Sequence, residues 1–415
     1  MMWLLIRDSE KLTDFLIPII LLFSKAFVDY LTSGLENPLT HLLLVWGILR
    51  LIKDIESENI GLRPMTLIIL GSVYLSRPDS ILLVLPLVFY SIFIYRNQFQ
   101  FSLKFLISQL SWLILPAAIW TLFSLIYYGF PFPTTAYAKL SHGENSHTIA
   151  LQGIYYFIDS LNRDPLTLLT IGFGIFIGWQ KNGWYRWVSV GLLLHSVYLI
   201  YIGGDFMTGR FLTPSVVVSI LLLANLLKDS IQQLIVSLPI IFIGLFSINM
   251  TLLADPSITD FKPDNNGLVD ERIWYFHNES LVHSHRDLFK QPKWQKSKKQ
   301  IRTVCGGLGQ LGLSFGPSTH IIDPCGLTDP LLSRLPIHKD DVWRIGHFER
   351  QLPTGYIESI QENKNLILDA ETANYYEVIR ILTRDPVFNI DRLITVFKFN
   401  LGIIKKPNFV KYRNQ

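Results

Sequence analysis

The chain has 415 residues, of which 49% are hydrophobic and 17% are charged, and its formal net charge at pH 7 is +4. This nearly balanced charge, with no basic stripe along the sequence, excludes a typical nucleic-acid-binding protein. The low charged fraction and the positive mean hydropathy instead favour a protein that works in a membrane.

Apolar runs bounded by charged residues occupy the first two-thirds of the chain and predict a mainly α membrane protein. Several runs are shorter than the roughly 20 residues that a helix needs to cross a bilayer upright, which indicates tilted helices or helices buried in a bundle. In chain order the runs predict about nine transmembrane helices, near residues 14–31, 38–53, 62–76, 80–95, 104–127, 165–180, 186–202, 211–227 and 232–253.

The basic residues of the connections predict the orientation of this bundle. Most of them, from Arg7 to Lys228, fall on one side, which the positive-inside rule makes cytoplasmic. An odd number of spans then places the C-terminal region outside. A cleaved signal peptide ending near Ser24-Lys25-Ala26 is the alternative for the first run. Lys25 and Asp29, four residues apart, are expected to pair on one helix face.

The character of the sequence changes near residue 254, where an apolar run gives way to closely spaced charges. This change predicts a multi-spanning domain over residues 1–253 and a soluble domain over residues 254–415. The second domain, about 160 residues long, is large enough to fold around its own core.

Short apolar segments in this second domain predict a small α/β fold. Residues 302–304 and 320–323 are expected to form strands, and residues 371–381 a helix. The glycines at 306, 307 and 309 predict a turn, because a phosphate-binding loop would also need a lysine and a following serine or threonine.

Cys305 and Cys325 are the two cysteines of the chain, and both belong to the predicted external domain. An oxidising compartment would permit a disulfide between them, with two free thiols as the alternative. Two cysteines cannot form a zinc site unaided. The sequence therefore predicts no metal site, and it contains no clear cofactor-binding motif.

The connection over residues 203–210 carries the strongest functional signal. It holds Asp205 and Arg210 in a glycine-rich segment between two apolar runs. Charged residues at such positions are costly unless they face water or a substrate. Three further connections, at residues 29–38, 76–79 and 127–139, are expected to converge with it on the outer membrane face. The cavity between them would be lined by Glu36, Asp79, Asp205, Arg77, Arg210, Lys139 and tyrosines that include Tyr137.

This mixture of acids and cations predicts glycosyl transfer from a lipid carrier. Arginine and lysine can hold the phosphate of a polyprenyl-linked sugar. Carboxylates hydrogen-bond sugar hydroxyls, and one of them can act as general base on the acceptor. Each residue also has a structural alternative: Arg77-Pro78-Asp79, for example, could simply be a turn at a helix start.

Several motifs together resemble one bacterial family of multi-spanning GT-C-type glycosyltransferases. That family includes the terminal arabinofuranosyltransferases of mycobacterial cell walls and relatives described as flagellar motor control proteins. The motifs are Thr32-Ser33-Gly34-Leu35-Glu36, Arg77-Pro78-Asp79, Tyr127-Tyr128-Gly129, Thr134 to Lys139, Gly203 to Arg210, Ile321 to Pro330, and Trp343 to Tyr356.

The resemblance implies a protein of the bacterial inner membrane that moves a sugar, with arabinofuranose as one candidate. The donor would be a polyprenyl-phosphate-linked sugar and the acceptor a cell-envelope glycan at the periplasmic face. Arg344 and His347 of the external domain would join the membrane residues in contacting the acceptor or the lipid phosphate. The expected substrate-binding residues are therefore Arg77, Tyr137, Lys139, Asp205, Arg210, Arg344 and His347.

One feature of the family is missing from this sequence. GT-C enzymes carry an acidic residue, the expected catalytic Asp, in the loop between their first two spans, and this chain is expected to begin after that loop. A truncated or split gene product, completed by a separately encoded N-terminal fragment, is the resulting expectation, with activity impaired in this chain alone. The catalytic base is then unknown, and the candidates are Asp205, Glu36 and Asp79.

The alternative function is a non-catalytic membrane scaffold or a transporter-like subunit. Transport sites, however, lie near the middle of the bilayer and often repeat between two halves of the chain. The charges of this sequence are expected at one face.

Overall fold

The computed structural model describes residues 15–57, 62–98, 102–140, 146–246, 262–280, 300–337, 344–404 and 407. The predicted domain boundary at residue 254, the N-terminal residues 1–14 and Trp343 lie outside these ranges. The chain forms two compact units. Unit 1 comprises Met1–Ile119 and Ser146–Ser280, and unit 2 comprises Trp120–Asn145 and Leu281–Gln415.

In its described part unit 1 consists of helices joined by turns and extended segments. Two 3₁₀ segments, Pro78–Leu83 and Arg210–Leu212, interrupt the α-helices, and helix α6 starts in unit 1 and ends among residues of unit 2. The helices are α1 Leu16–Phe23, α2 Lys25–Leu31, α3 Asn37–Glu56, α4 Pro64–Ser76, α5 Leu85–Gln98, α6 Leu103–Tyr128, α8 Ser146–Arg163, α9 Pro165–Trp179, α10 Trp184–Tyr201, α11 Thr213–Leu226, α12 Ser230–Phe246 and α13 Glu271–Glu279.

The prediction of about nine transmembrane helices is wrong. Among the described residues, two helical stretches are long and apolar enough to cross a membrane, Pro78–Tyr95 and Leu103–Tyr128. Other apolar runs form shorter helices, such as Pro165–Trp179 with 15 residues, or are divided into two helices. The first predicted span divides at Ser24, whose side chain accepts a hydrogen bond from the Phe27 amide and so starts a new helix. Periodicity alone did not reveal these breaks.

The short helices of unit 1 pack on one another around a common apolar core. Leu44, Ile48 and Leu51 on α3, for example, are completely buried. Glycines allow close approach at several crossings. A Cβ atom on Gly191 of α10 would lie 2.4 Å from the carbonyl oxygen of Leu83. Only glycine therefore lets the 3₁₀ segment that carries Asp79 lie directly against α10.

Unit 2 contains a parallel pair of strands, β1 Gln300–Thr303 and β2 Thr319–Ile322, connected by helix α14 Leu308–Phe315. Gln300 pairs with Thr319 and Thr303 pairs with Ile322. The predicted strands are confirmed. So is the predicted turn, in which Gly306 and Gly307 adopt positive φ angles of 91° and 60°. The other α-helices of its described part are α7 Thr134–Leu140, α15 Tyr356–Glu362, α16 Ala370–Arg384 and α17 Ile390–Asn400, and a 3₁₀ helix spans Leu332–Arg334.

Buried arginines connect the parts of unit 2. Arg392 donates hydrogen bonds to the carbonyl oxygens of Ile126, Tyr127 and Leu382. Cys305 and Cys325 form a disulfide, which joins the end of β1 to the segment after β2. The disulfide alternative of the sequence prediction is thus the one that the structure adopts.

Candidate functional site

Backbone geometry shapes the segment that carries Asp205 and Arg210. Gly203, Gly204 and Gly209 all have positive φ angles, between 68° and 85°, which residues with a side chain rarely adopt. The aromatic ring of Tyr156 lies against Gly204, where a Cβ atom would approach its Cγ to 2.4 Å. The segment thus turns back sharply at the end of α10.

The segment around Val269 holds this turn in place through backbone hydrogen bonds. The amide of Val269 donates to the carbonyl oxygen of Phe206 at 2.8 Å, and the amide of Thr208 donates to the carbonyl oxygen of Val269 at 3.1 Å. The hydroxyl of Tyr30 donates to the carbonyl oxygen of Thr208 at 3.1 Å. The position of Arg210 is therefore fixed by contacts from distant parts of unit 1.

Five charged residues from three of the predicted connections form a continuous chain of ion pairs in unit 1. Arg210 binds both carboxylate oxygens of Glu36 at 3.1 Å and contacts Asp205 at 3.4 Å. Arg77 contacts Glu36 at 3.1 Å and Asp79 at 3.0 Å. These ion pairs bring three of the four predicted connections together, and their convergence on an outer membrane face stays a prediction. We call this set the Glu36 cluster.

His195 extends the Glu36 cluster and was missed by the sequence analysis. Its Nε2 atom lies 3.0 Å from an Asp79 oxygen and its Nδ1 atom 2.8 Å from the Ser215 hydroxyl. A single histidine within the apolar helix α10 was the available signal. The imidazole is completely buried, so we assign it to holding Asp79.

The members of the cluster differ in their access to a ligand. The side chain of Glu36 is 28% exposed and that of Arg210 is 17% exposed, whereas that of Arg77 is 4% exposed. The guanidinium of Arg77 also lies 4.1 Å from the centre of the Phe211 ring. Glu36 and Arg210 therefore form the accessible end of the cluster, and Arg77 lies behind them.

Asp205 is almost completely buried, at 1% exposure. Its Oδ2 atom contacts Arg210, while its Oδ1 atom has no hydrogen-bond partner among the described residues. A buried carboxylate oxygen without a partner is costly in a folded protein. This oxygen is a candidate acceptor for a group supplied by a ligand.

A second charged cluster lies at the start of α2 and α13. Lys25 contacts Asp29 at 2.6 Å and Asp270 at 2.9 Å, and Arg272 contacts Asp29 at 3.4 Å. The predicted pairing of Lys25 with Asp29 is confirmed. Burial raises the pKa of Asp29 to about 6, although Lys25 acts in the opposite direction.

The remaining predicted site residues, Tyr137, Lys139, Arg344 and His347, belong to unit 2. The Tyr137 ring is covered by the guanidinium of Arg334, with 4.0 Å from Cζ to the ring centre. Lys139 runs alongside Gly346, where a Cβ atom would lie 2.9 Å from the lysine Cε. The structure thus brings Lys139 next to the turn that contains Arg344 and His347.

Arg350, in the same segment as Arg344 and His347, has a structural role. Its guanidinium donates to the carbonyl oxygens of Cys325, Phe348 and Ala138. Burial lowers its pKa to about 10. This arginine ties the 344–350 segment to α7.

One group of potential metal ligands occurs among the described residues, Cys305, Asp323 and Cys325. Both sulfur atoms belong to the disulfide, so they are not thiolates that could bind a metal ion. Asp323 accepts hydrogen bonds from the amides of Cys325 and Thr328. Its carboxylate therefore organises the turn after β2.

Comparisons with known proteins find no matching family model, no matching curated protein and no matching solved structure. The resemblance to GT-C-type glycosyltransferases therefore stays a prediction that depends on the motifs of the sequence.

Proposed function

We propose that the chain is a membrane-associated glycosyltransferase-like protein that takes a sugar from a polyprenyl-phosphate donor, with arabinofuranose as one candidate sugar. The acceptor is a cell-envelope glycan. The observation that carries the proposal is the Glu36 cluster, in which two arginines and three carboxylates from separate connections meet. This set combines phosphate-binding cations with acceptors for sugar hydroxyls.

In this proposal Arg210 contacts the donor phosphate. Its side chain is more exposed than that of Arg77, and its Nε atom has no hydrogen-bond partner among the described residues. Arg77 is a positioning residue, since its contacts with Glu36 and Asp79 fix the carboxylate that Arg210 also binds.

Glu36 is the candidate general base for the transfer that this chain supports by itself, in place of the Asp that the resemblance expects in a preceding loop. It is more exposed than Asp79 or Asp205, at 28% against 13% and 1% for their side chains. The acceptor hydroxyl would give its proton to Glu36 while its oxygen bonds to the anomeric carbon. The bond between that carbon and the phosphate oxygen breaks, and polyprenyl phosphate leaves with the bonding electrons.

The surface of helix α6 supports a membrane location. In its most apolar stretch only 11% of the residues are buried, and Ile107, Ile119 and Leu122 are each about 60% exposed. Leaving one such side chain in water instead of burying it costs roughly 1.5–3 kcal/mol. Lipid contact removes this cost. The disulfide of unit 2 favours an oxidising compartment such as the periplasm.

The test measures donor binding and transfer by the full chain in lipid nanodiscs. Farnesyl phosphate serves as a short polyprenyl phosphate, and a polyprenyl-phosphate-linked arabinofuranose serves as the donor. Arg210→Gln should weaken farnesyl phosphate binding by about tenfold or more. Arg186→Gln is the matched control, because Arg186 is exposed and its guanidinium contacts Asn182, which does not belong to the Glu36 cluster.

Glu36→Gln separates binding from chemistry. This variant should retain farnesyl phosphate binding and lower the transfer rate by about 10²–10⁴-fold, the usual contribution of a general base. Equal phosphate binding by the wild type and Arg210→Gln would contradict the donor assignment. Unchanged transfer by Glu36→Gln would remove Glu36 from catalysis.

A non-catalytic membrane scaffold is the second candidate. This alternative is favoured by the contacts of Arg77. Its guanidinium is buried and forms ion pairs with both Glu36 and Asp79, as in a purely structural ion-pair network. Under this alternative Arg210→Gln lowers the amount of folded protein, and no variant of the cluster affects the binding of farnesyl phosphate.

A further inference from the structure

Unit 1 contains a cavity of about 380 Å³ next to the second charged cluster. This volume falls in the usual range for small-molecule sites, about 300–1,000 Å³. The cavity lies between α2, the turn that follows it, Met207 and α13. The lining residues that matter for its chemistry are Asp29, Met207, Glu271, Arg272, Tyr275 and Phe276.

The walls of this cavity are held together by direct contacts. The ion pairs Lys25–Asp270 at 2.9 Å and Asp29–Arg272 at 3.4 Å connect α2 to the start of α13. The backbone hydrogen bonds of Val269 with Phe206 and Thr208 connect the start of α13 to the Met207 segment. The cavity is therefore formed before any ligand arrives, which lowers the entropic cost of binding.

The charges around the cavity disfavour an anionic ligand. Lys25 and Arg272 contribute +2, and Asp29, Asp270 and Glu271 contribute −3 when ionised, which leaves −1. Both cations already contact carboxylates. A free phosphate or an acidic sugar would have to displace one of these partners, whereas Arg210 of the Glu36 cluster keeps an Nε atom without a hydrogen-bond partner among the described residues.

The polar and aromatic groups instead suit an uncharged, polyhydroxylated ligand. Tyr275 is 51% exposed and lines the cavity with Phe276, which places two aromatic side chains where the C–H groups of a sugar can pack. Asp29 and Glu271 supply carboxylate acceptors for hydroxyls, and Arg272 supplies donors. Saccharides present both kinds of surface in a single ring.

We propose that this cavity binds a neutral saccharide. Its assignment as the acceptor subsite rests on the proposed function and on the neighbouring residues. Met207 lines the cavity, and its sulfur lies 3.6 Å from Arg210 Nη1. Leu35 also lines the cavity and directly precedes Glu36. An acceptor in the cavity would thus adjoin the accessible end of the Glu36 cluster.

The test is saccharide binding to the full chain in nanodiscs prepared without sugar-based detergent. The probes are neutral methyl disaccharides built from arabinose, galactose, mannose and glucose, with methyl glucuronide as the anionic comparison. Saturation-transfer NMR identifies binders, and titration gives their Kd. At least one neutral probe should bind, and methyl glucuronide should bind more weakly.

Variants on α13 locate the binding site. Tyr275→Ala should raise the Kd about tenfold, as expected for loss of an aromatic contact at the centre of a site. Glu271→Gln should raise it about three- to tenfold through loss of a charged acceptor. Trp274→Ala is the matched control, because Trp274 is an exposed aromatic residue on the same helix that does not line the cavity.

The proposal is overturned if no neutral probe binds the wild type, if methyl glucuronide binds more tightly than every neutral probe, or if Tyr275→Ala and Glu271→Gln both bind like the wild type. Farnesyl phosphate binding and saccharide binding are measured on the wild type in separate titrations. Failure of the donor assignment and failure of the saccharide site therefore give different results.

Discussion

Arg77 and Arg210 show how far position decides the role of a residue. Both occur in short polar connections, and both were predicted from the sequence to be substrate-binding cations. In the structure Arg77 is enclosed by Glu36, Asp79 and the Phe211 ring, whereas Arg210 keeps more contact with solvent. Removing a buried charge leaves its former partners without compensation, so Arg77 primarily maintains the cluster.

Asp329 provides a pH-dependent test within unit 2. Burial raises the pKa of its carboxyl group from the usual 3.8 to about 6, against the effect of the Leu332 and Leu331 amides and the Tyr356 hydroxyl. Nearby Asp323 acts in the same direction as burial. Since the folded state favours the protonated form, this contribution to stability is full below about pH 4 and is lost as the pH rises through 6.

Asp329→Asn should remove this pH dependence. Relative to the wild type, the variant should gain about 2 kcal/mol of local stability between pH 4.5 and 7.5, since one pKa unit corresponds to about 1.4 kcal/mol. Hydrogen–deuterium exchange of the 322–337 segment, corrected for intrinsic exchange, measures the effect. Asp391→Asn, at an exposed position on α17, should show no such gain. Parallel pH profiles for the wild type and Asp329→Asn would contradict the prediction.

At the scale of single elements, the glycine-rich turn after α10 determines the position of Asp205 and Arg210. Gly204→Ala introduces a Cβ atom at a φ of +68° and within 2.4 Å of the Tyr156 ring. The left-handed backbone alone costs roughly 1–2 kcal/mol for a residue with a side chain. We therefore expect a lower unfolding temperature and weaker farnesyl phosphate binding.

Gly172→Ala is the matched control for this turn. Gly172 lies on α9 with nothing within 4 Å of its added Cβ, and alanine favours a helix over glycine. Its unfolding temperature should equal or slightly exceed that of the wild type. If Gly204→Ala is as stable as Gly172→Ala and binds farnesyl phosphate normally, the turn does not control the cluster.

The sequence predicted some elements well because their signals are local. The strands of unit 2 and the helix predicted over residues 371–381, which is observed as Ala370–Arg384, follow from short apolar patterns. The polar connections of unit 1 were also recognisable, since charges stand out against apolar neighbours. These features need no knowledge of distant contacts.

Other features depend on tertiary contacts and could not be predicted in this way. The break of the first apolar run at Ser24 is stabilised by Asp164, whose carboxylate accepts from the Ala26 amide at 2.9 Å, although 138 residues separate the two. His195 gains its role from Asp79, far away in the sequence. Tyr137, like Arg77, was predicted to bind substrate because it lies in a polar connection, yet its ring packs under the guanidinium of Arg334. Composition overestimated the number of spans because a core of packed short helices is as apolar as a membrane bundle.

At the scale of the whole molecule, the compact units do not follow the order of the chain. Residues 120–145 belong with the C-terminal part, in unit 2. Arg392 and Arg350 explain this membership, because they donate to carbonyl oxygens of Tyr127 and Ala138. A composition change near one residue does not detect an inserted segment of this kind. The predicted division into a membrane domain before residue 254 and a soluble domain after it stays a prediction.

The disulfide of unit 2 allows the proposed compartment to be tested on the full chain. Cys305 and Cys325 are the two cysteines in the sequence, and they are bonded to each other. A membrane-impermeant maleimide applied to intact cells should therefore label the protein only after reduction, and mainly at Cys305, because Cys325 is completely buried. Cys325→Ser leaves Cys305 without a partner and should be labelled without reduction. Labelling that requires permeabilised cells would place unit 2 in the cytoplasm and contradict a periplasmic location, and with it the access of this unit to a cell-envelope glycan.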